Sequence, residues 1–150
     1  MIIDSPIGNL EIIDNGRAIT RIELTDMPAC DVSTELQREC AGQLKEYFSG
    51  GRTAFEFPVE FSGTEFQKSV WNALLEIPFG VTMTYGEIAA KIGKSGAARA
   101  VGGACNRNHI LIAIPCHRVI GANGKLVGFA CGLKIKSYLL NHEKYEVSDV

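Results

Sequence analysis

No CxxC pair occurs in this chain of 150 residues, and its five cysteines (Cys30, Cys40, Cys105, Cys116 and Cys131) are odd in number and irregularly spaced. That pattern argues against a disulfide framework and for free thiols in a reducing compartment. His109, His117 and His142 do not combine with the cysteines at a zinc-site spacing, so no metal is expected. No apolar run is long enough to cross a bilayer, and the start, Met1-Ile2-Ile3-Asp4, lacks the basic region of a secretion signal. A cytoplasmic protein without a membrane partner is expected, or a nuclear one in a eukaryotic host. No glycine-rich nucleotide loop is present either, so no cofactor is expected.

What is present is an ordinary globular composition, 46% apolar and 21% charged, in a length that accommodates one domain or two small ones. The net charge of −2 conceals a split. Residues 1–60 carry 5 Lys/Arg against 11 Asp/Glu, whereas residues 61–150 carry 10 against 6. Between positions 85 and 136 eight basic residues face the single acid Glu87. One-signed charge of this kind suits a polyanionic partner, although a solvated basic face would have the same composition.

The first 61 residues read as a small α+β unit. Ile2-Ile3, Leu10–Ile13 and Ala18–Leu24 are short β-branched runs, and Asn15-Gly16 signals a hairpin. Thr34 with Gln37 makes a capping box that opens a helix to Phe48, ended by Gly50-Gly51. Phe55–Pro58 is read as a last edge strand. From residue 62 to 150 the pattern turns mostly helical. Thr64/Gln67 and Thr84/Glu87 are two further capping boxes, and Ser95 is expected to cap a helix from Ala97 to about Cys105. The overall expectation is an α+β fold: a small N-terminal sheet-and-helix domain, then a mostly helical domain with a helix-turn-helix.

The second helix of that pair is nearly bare. Ala97, Ala98, Ala100, Gly102, Gly103 and Ala104 leave Arg99 standing alone. Small residues allow close approach to a neighbouring helix or to DNA, and the basic balance favours DNA.

An apolar stretch, Ile110–Ile114, delivers Pro115-Cys116-His117-Arg118-Val119. A thiol acts as a nucleophile only once its proton is removed, and histidine is a natural acceptor. Sequence neighbours need not face each other, so the dipeptide alone leaves catalysis and simple packing both open.

The surroundings are more specific. Ile114-Pro115-Cys116-His117-Arg118-Val119 resembles the active-site signature of the O6-alkylguanine-DNA alkyltransferases, the methylated-DNA–protein-cysteine methyltransferases. The likeness includes Gly63–Gln67, Thr84–Ala89, Ala97–Gly102, Arg107-Asn108, Gly132-Leu133 and Leu139–Glu143, about 80 residues in matching order. Residues 1–60 resemble the family's variable N-terminal domain in layout only.

The resemblance implies repair of double-stranded DNA by one-time transfer of the alkyl group from O6-alkylguanine, with O4-alkylthymine as a second substrate, to Cys116. It implies that His117 draws the thiol proton through a water, that Glu143 orients His117, and that Asn108 organises the active-site turn. Tyr85 would help rotate the nucleotide and donate to the base, and Arg99 would enter the duplex. Thr84, Ala98, Ala100 and Gly102 would lie along the DNA. Backbone groups of Cys116, Val119 and Ala130 would contact the flipped base, with Phe129 and Cys131 at the pocket wall. Phe129 stands where the family often has Tyr, Cys131 where it has Gly, and His109 where it has Pro. Altered tolerance of bulky adducts and a looser turn after Asn108 are the expected consequences. A monomer is expected. The competing readings are a non-catalytic sensor of alkylated DNA, whose relatives lack the acceptor cysteine, a plain helix-turn-helix regulator and a Cys-His hydrolase.

Overall fold

Three of the helices are opened by the same local device. The computed structural model describes residues 1–129 and 131–143. In it Thr34, Thr64 and Thr84 sit in extended conformation, each hydroxyl accepting from the backbone N–H three residues on, while Gln37, Gln67 or Glu87 reaches back to the threonine N–H. Two otherwise orphaned donors are thereby satisfied at each helix start.

The chain divides into two units, 1–61 with 109–111, and 62–108 with the chain from 112 onward. In the first, strands β1 (Ile2–Ile3), β2 (Leu10–Asp14) and β3 (Ile19–Leu24) form an antiparallel meander. Leu10, Ile12, Ile19 and Ile22 are fully buried. Each such side chain contributes roughly 1.5–3 kcal/mol relative to exposure. Helix α1 (Glu35–Phe48) lies against β2 and β3, burying Cys40, Leu44 and Tyr47. The β2–β3 turn has Gly16 at φ 89°, and the Asn15 side chain accepts the N–H groups of Arg17 and Ala18.

The expected edge strand at Phe55–Pro58 does not form. Pro58 has no N–H, and the N–H of Glu56 donates to the buried Gln43 side chain at 2.8 Å. Only a single parallel bridge remains, Ile19 with Val59. A segment from outside the first 61 residues joins this unit instead. Ile22 N–H donates to His109 O at 2.9 Å and Leu111 N–H to Ile22 O at 2.9 Å. His109 also meets Glu23 at 2.6 Å, so the residue expected to loosen the turn gains a partner there.

In the second unit, α2 (Glu65–Leu75), α3 (Tyr85–Lys91) and α4 (Ala98–Asn106) pack on one another. The Trp71 indole N–H donates to Ala104 O in the last turn of α4 at 2.9 Å. Ser95 does not cap α4. The N-cap is Ala97, without a side-chain bond, because Gly96 at φ 90° closes a turn that leaves Ser95 two residues too early. Two very short strands, β4 (Met83–Thr84) and β5 (Val119–Ile120), pair in parallel. They bring the start of α3 beside the 3₁₀ turn Cys116–Arg118, against which α5 (Leu133–His142) also packs. No helix among the described residues is long and apolar enough to cross a membrane.

Candidate active site

Cys116 begins the 3₁₀ turn and is 3% exposed. Its own N–H is tied to Ile114 O at 2.8 Å, and Arg118 N–H to Pro115 O at 3.0 Å. The Asn108 amide donates to Ile114 O at 2.9 Å and to Cys116 Sγ at 3.2 Å. One side chain thus fixes both the turn and the thiol. Between them Ile112 takes φ 71°, a left-handed conformation uncommon for a β-branched residue and costing on the order of 1–3 kcal/mol. Burial pushes the Cys116 thiol up to about 11, with the Asn108 hydrogen bond opposing. At neutral pH the thiol therefore keeps its proton until a base takes it.

His117 and Glu143 are completely buried and meet at 2.7 Å between Nε2 and Oε2. Arg118 closes on the same carboxylate, Nε to Oε1 at 2.7 Å and Nη2 to Oε2 at 3.0 Å, while Nη1 donates to Ile77 O at 2.6 Å. Burial by itself would raise the Glu143 pKa; the hydrogen bonds from His117 and Arg118 outweigh it and hold the carboxyl well below its usual range. Burial also keeps His117 below the usual imidazole value, against the pull of Glu143. The consistent state is an ionised Glu143 paired with Arg118⁺ and a neutral His117 donating from Nε2. Nδ1 then carries a lone pair, and it is buried with no hydrogen-bond partner among the described residues. That atom is an unoccupied proton acceptor on the residue that follows the protonated thiol in sequence.

The third part of the site is an open groove of about 580 Å³ whose lining includes Thr84, Tyr85, Ala98, Arg99, Gly102 and Val127. The bare face of α4 forms one wall. Arg99 is exposed. A Cβ at Gly102 would lie 3.8 Å from the Tyr85 ring, and one at Gly103 would meet nothing within 4 Å. The Tyr85 hydroxyl lies 2.9 Å from Val127 O and 3.2 Å from Gly128 O, and burial raises its pKa to about 12.

Of the residues singled out from sequence, Asn108 is bonded to Cys116 and Glu143 to His117, and the 3₁₀ turn carries both Cys116 and His117. Thr84, Tyr85, Ala98, Arg99 and Gly102 share the groove; Ala100 is exposed on α4 but is not part of its lining. Val119 is fully buried after the turn, and Phe129 and Cys131 are half-buried. Ala130 lies outside the described residues. Sequence reasoning missed Arg118, although it stands inside the signature hexapeptide, and Lys136, which is fully buried.

The comparisons agree with one another. Residues 65–145 match the family model described as 6-O-methylguanine DNA methyltransferase, DNA binding domain, and residues 1–61 match that family's ribonuclease-like domain. A methylated-DNA–protein-cysteine methyltransferase of Methanosarcina acetivorans is 50% identical over 151 residues, covering 95% of this chain and 96% of its own. The protein of that name from Mycobacterium leprae is 45% identical, covering 97% and 92%. The crystal structure of Mycobacterium tuberculosis OGT in complex with DNA superposes with a TM-score of 0.88 at 44% identity, covering 95% of this chain and 91% of that one. With both family models matched and half of its residues shared with a full-length relative, this chain belongs to the 6-O-methylguanine DNA methyltransferase family.

Proposed function

We propose that the protein repairs double-stranded DNA by moving the alkyl group from O6 of guanine, and secondarily from O4 of thymine, onto Cys116. The observation that carries this reading is the arrangement of one buried thiol, its Asn108 donor, and a neutral histidine backed by an ionised carboxylate. Cys116 gives its proton to Nδ1 of His117 through a bridging water, with Glu143 fixing the tautomer that leaves Nδ1 free. The thiolate attacks the alkyl carbon; an S–C bond forms, the C–O6 bond breaks and its electron pair stays on the base. A thioether is not readily hydrolysed, so each molecule acts once.

The target oxygen lies inside the duplex and the base must be flipped out, at a cost of a few kcal/mol. The bare α4 face allows close approach in the minor groove, and Arg99 fills the vacated stack. Tyr85 helps turn the nucleotide and donates to the base; backbone groups of Cys116, Val119 and Ala130 hold it, and Phe129 and Cys131 bound the pocket. Binding as a monomer suffices, since one chain supplies every group. A sensor reading would leave unused a thiol that Asn108 is built to hold.

The test is intact-protein mass after incubation with a duplex carrying one O6-methylguanine. The expected result is a gain of one methyl group on Cys116, saturating at one per chain and absent in Cys116→Ser. Binding without any gain would favour the sensor reading; neither binding preference nor gain would overturn the assignment.

A further inference from the structure

Three of the cysteines share one neighbourhood. Cys116 opens the 3₁₀ turn, Cys105 is buried in the last turn of α4, and Cys131 is half-buried in the turn leading into α5. Helix α5 packs against the 3₁₀ turn. The Gly132 N–H, donating to Phe129 O at 2.9 Å, closes the turn that carries Cys131. All three are free thiols. They lie near enough to feel one another: charge on Cys131 opposes ionisation of Cys116, and charge on Cys116 opposes that of Cys105.

The two neighbours of Cys116 differ in access and in freedom. Cys105 is sealed in and its thiol pushed up to about 12. Cys131 can be reached from solvent. Its segment also has room to shift, because Gly128 and Gly132, at φ 50° and 98°, bracket it with open space around each. Cys131 stands where the family resemblance expects glycine, so the second thiol comes with this chain rather than with the fold. A reducing compartment excludes a standing disulfide but permits a transient, redox-sensing one.

We propose that Cys116 and Cys131 form a reversible disulfide when the protein meets a hydroperoxide, which caps the alkyl-acceptor thiol. Cys131 attacks the peroxide first: its sulfur becomes a sulfenic acid, the O–O bond breaks and water departs. Cys116 then attacks that sulfur. An S–S bond forms, the S–O bond breaks, and the hydroxide leaves as water with the Cys116 proton. Hydrogen peroxide is reduced to two waters while the two thiols give up two electrons and two hydrogens. Attack within one molecule needs little thiolate, so the raised pKa of Cys116 does not forbid it. A dithiol restores both thiols by exchange. While capped, Cys116 can neither take an alkyl group nor be carried on to the irreversible sulfonic acid. The regulatory consequence rests on the alkyl-transfer reading above; the crosslink itself does not.

Wild type and Cys131→Ser are treated with hydrogen peroxide, quenched with catalase and divided. One part is peptide-mapped without reductant; the others are assayed for methyl acceptance from an O6-methylguanine duplex, before and after dithiothreitol. Each protein is referred to its own untreated sample, and Cys131→Ala replaces Cys131→Ser if the latter does not melt cooperatively. The wild type is expected to yield a Cys116–Cys131 peptide pair, to lose acceptance in proportion to the fraction crosslinked, and to regain it with dithiothreitol. The variant should form no disulfide to Cys116, and the share of acceptance that dithiothreitol restores should be several-fold smaller. Absence of the pair in wild type, a pair joining Cys116 to Cys105 or Cys30 instead, or an equal restored share in the variant would each overturn the proposal. An untreated wild type that accepts no methyl would instead fail the alkyl-transfer reading, with the peptide map still deciding the crosslink.

Discussion

Arg118 and Glu143 meet as fork and carboxylate, two parallel bonds of 2.7 and 3.0 Å from Nε and Nη2 to Oε1 and Oε2, with the carboxylate entirely shielded from solvent. One positive charge already balances one negative charge there. A proton added to His117 would be an uncompensated charge in a dry site. Burial first, and the charge of Arg118 after it, hold His117 neutral against the pull of Glu143, while the bond to Glu143 fixes its tautomer.

Removing the negative partner should be severe. Glu143→Gln keeps the size of the side chain but leaves Arg118 buried and unpaired, which is expected to cost about 3 kcal/mol or more of unfolding free energy. The His117 tautomer is also released, and transfer should slow by about 100-fold. Urea unfolding and single-turnover transfer measure the two effects separately.

Acid should weaken the fold in two stages. The folded-state pKa of His117 lies below its ordinary 6.5, so in the interval between the two values the unfolded chain binds a proton that the native one refuses. Stability is then fully present above about 6.5 and declines as pH falls. Glu143, likewise lowered from 4.5, adds a second loss below that ordinary value. Urea midpoints from pH 8 to pH 4 should show the first decline in the wild type and a reduced one in His117→Gln; parallel curves for the two proteins would refute this account.

Arg99 should matter to the duplex and not to the fold. The side chain is exposed, so Arg99→Ala is expected to change stability by no more than about 0.5 kcal/mol. Transfer from a lesion in duplex DNA should fall about tenfold or more, whereas transfer from the same lesion in a single strand, which needs no flipping, should be nearly unchanged. Gly103→Leu, entering open space on the same helix, should fold normally and weaken binding to any duplex.

Asn108→Ala removes the donor to Sγ and the tie to Ile114 O together. The thiol pKa should rise further, since that bond is the main effect opposing burial. A loss of about 10- to 100-fold in transfer is expected. Asn108→Asp, which replaces a donor with an acceptor, should be worse than Ala.

The three capping boxes were legible in sequence because they are local: a threonine and a residue three positions on satisfy one another whatever the rest of the chain does. Cys116 and His117 stood out as a dipeptide, whereas Asn108 came only through the family resemblance, although it lies just eight residues from the thiol it bonds. Other features depend on distant partners. The failed strand at Phe55–Pro58 turns on Gln43 capturing the Glu56 N–H, thirteen residues away in sequence. Arg118 received no role from the sequence, because its partner Glu143 lies 25 positions downstream. Lys134 and Lys136 look alike in Leu133–Tyr138, yet only Lys136 is fully buried, because of how α5 is rotated against Tyr85 and Phe129. Strands β4 and β5 are two residues each, too short to leave any periodicity.

The burial of Cys116 has a consequence for reagent choice. Its thiol, 3% exposed and raised to about 11, offers little thiolate to a small electrophile arriving from solvent. Cys30, the exposed cysteine of the chain, should consume such reagents first. Selectivity for the intended donor then comes less from an unusually reactive sulfur than from a sulfur kept dormant until a base is seated against it, so that a protein with a single use is not spent on passing chemicals.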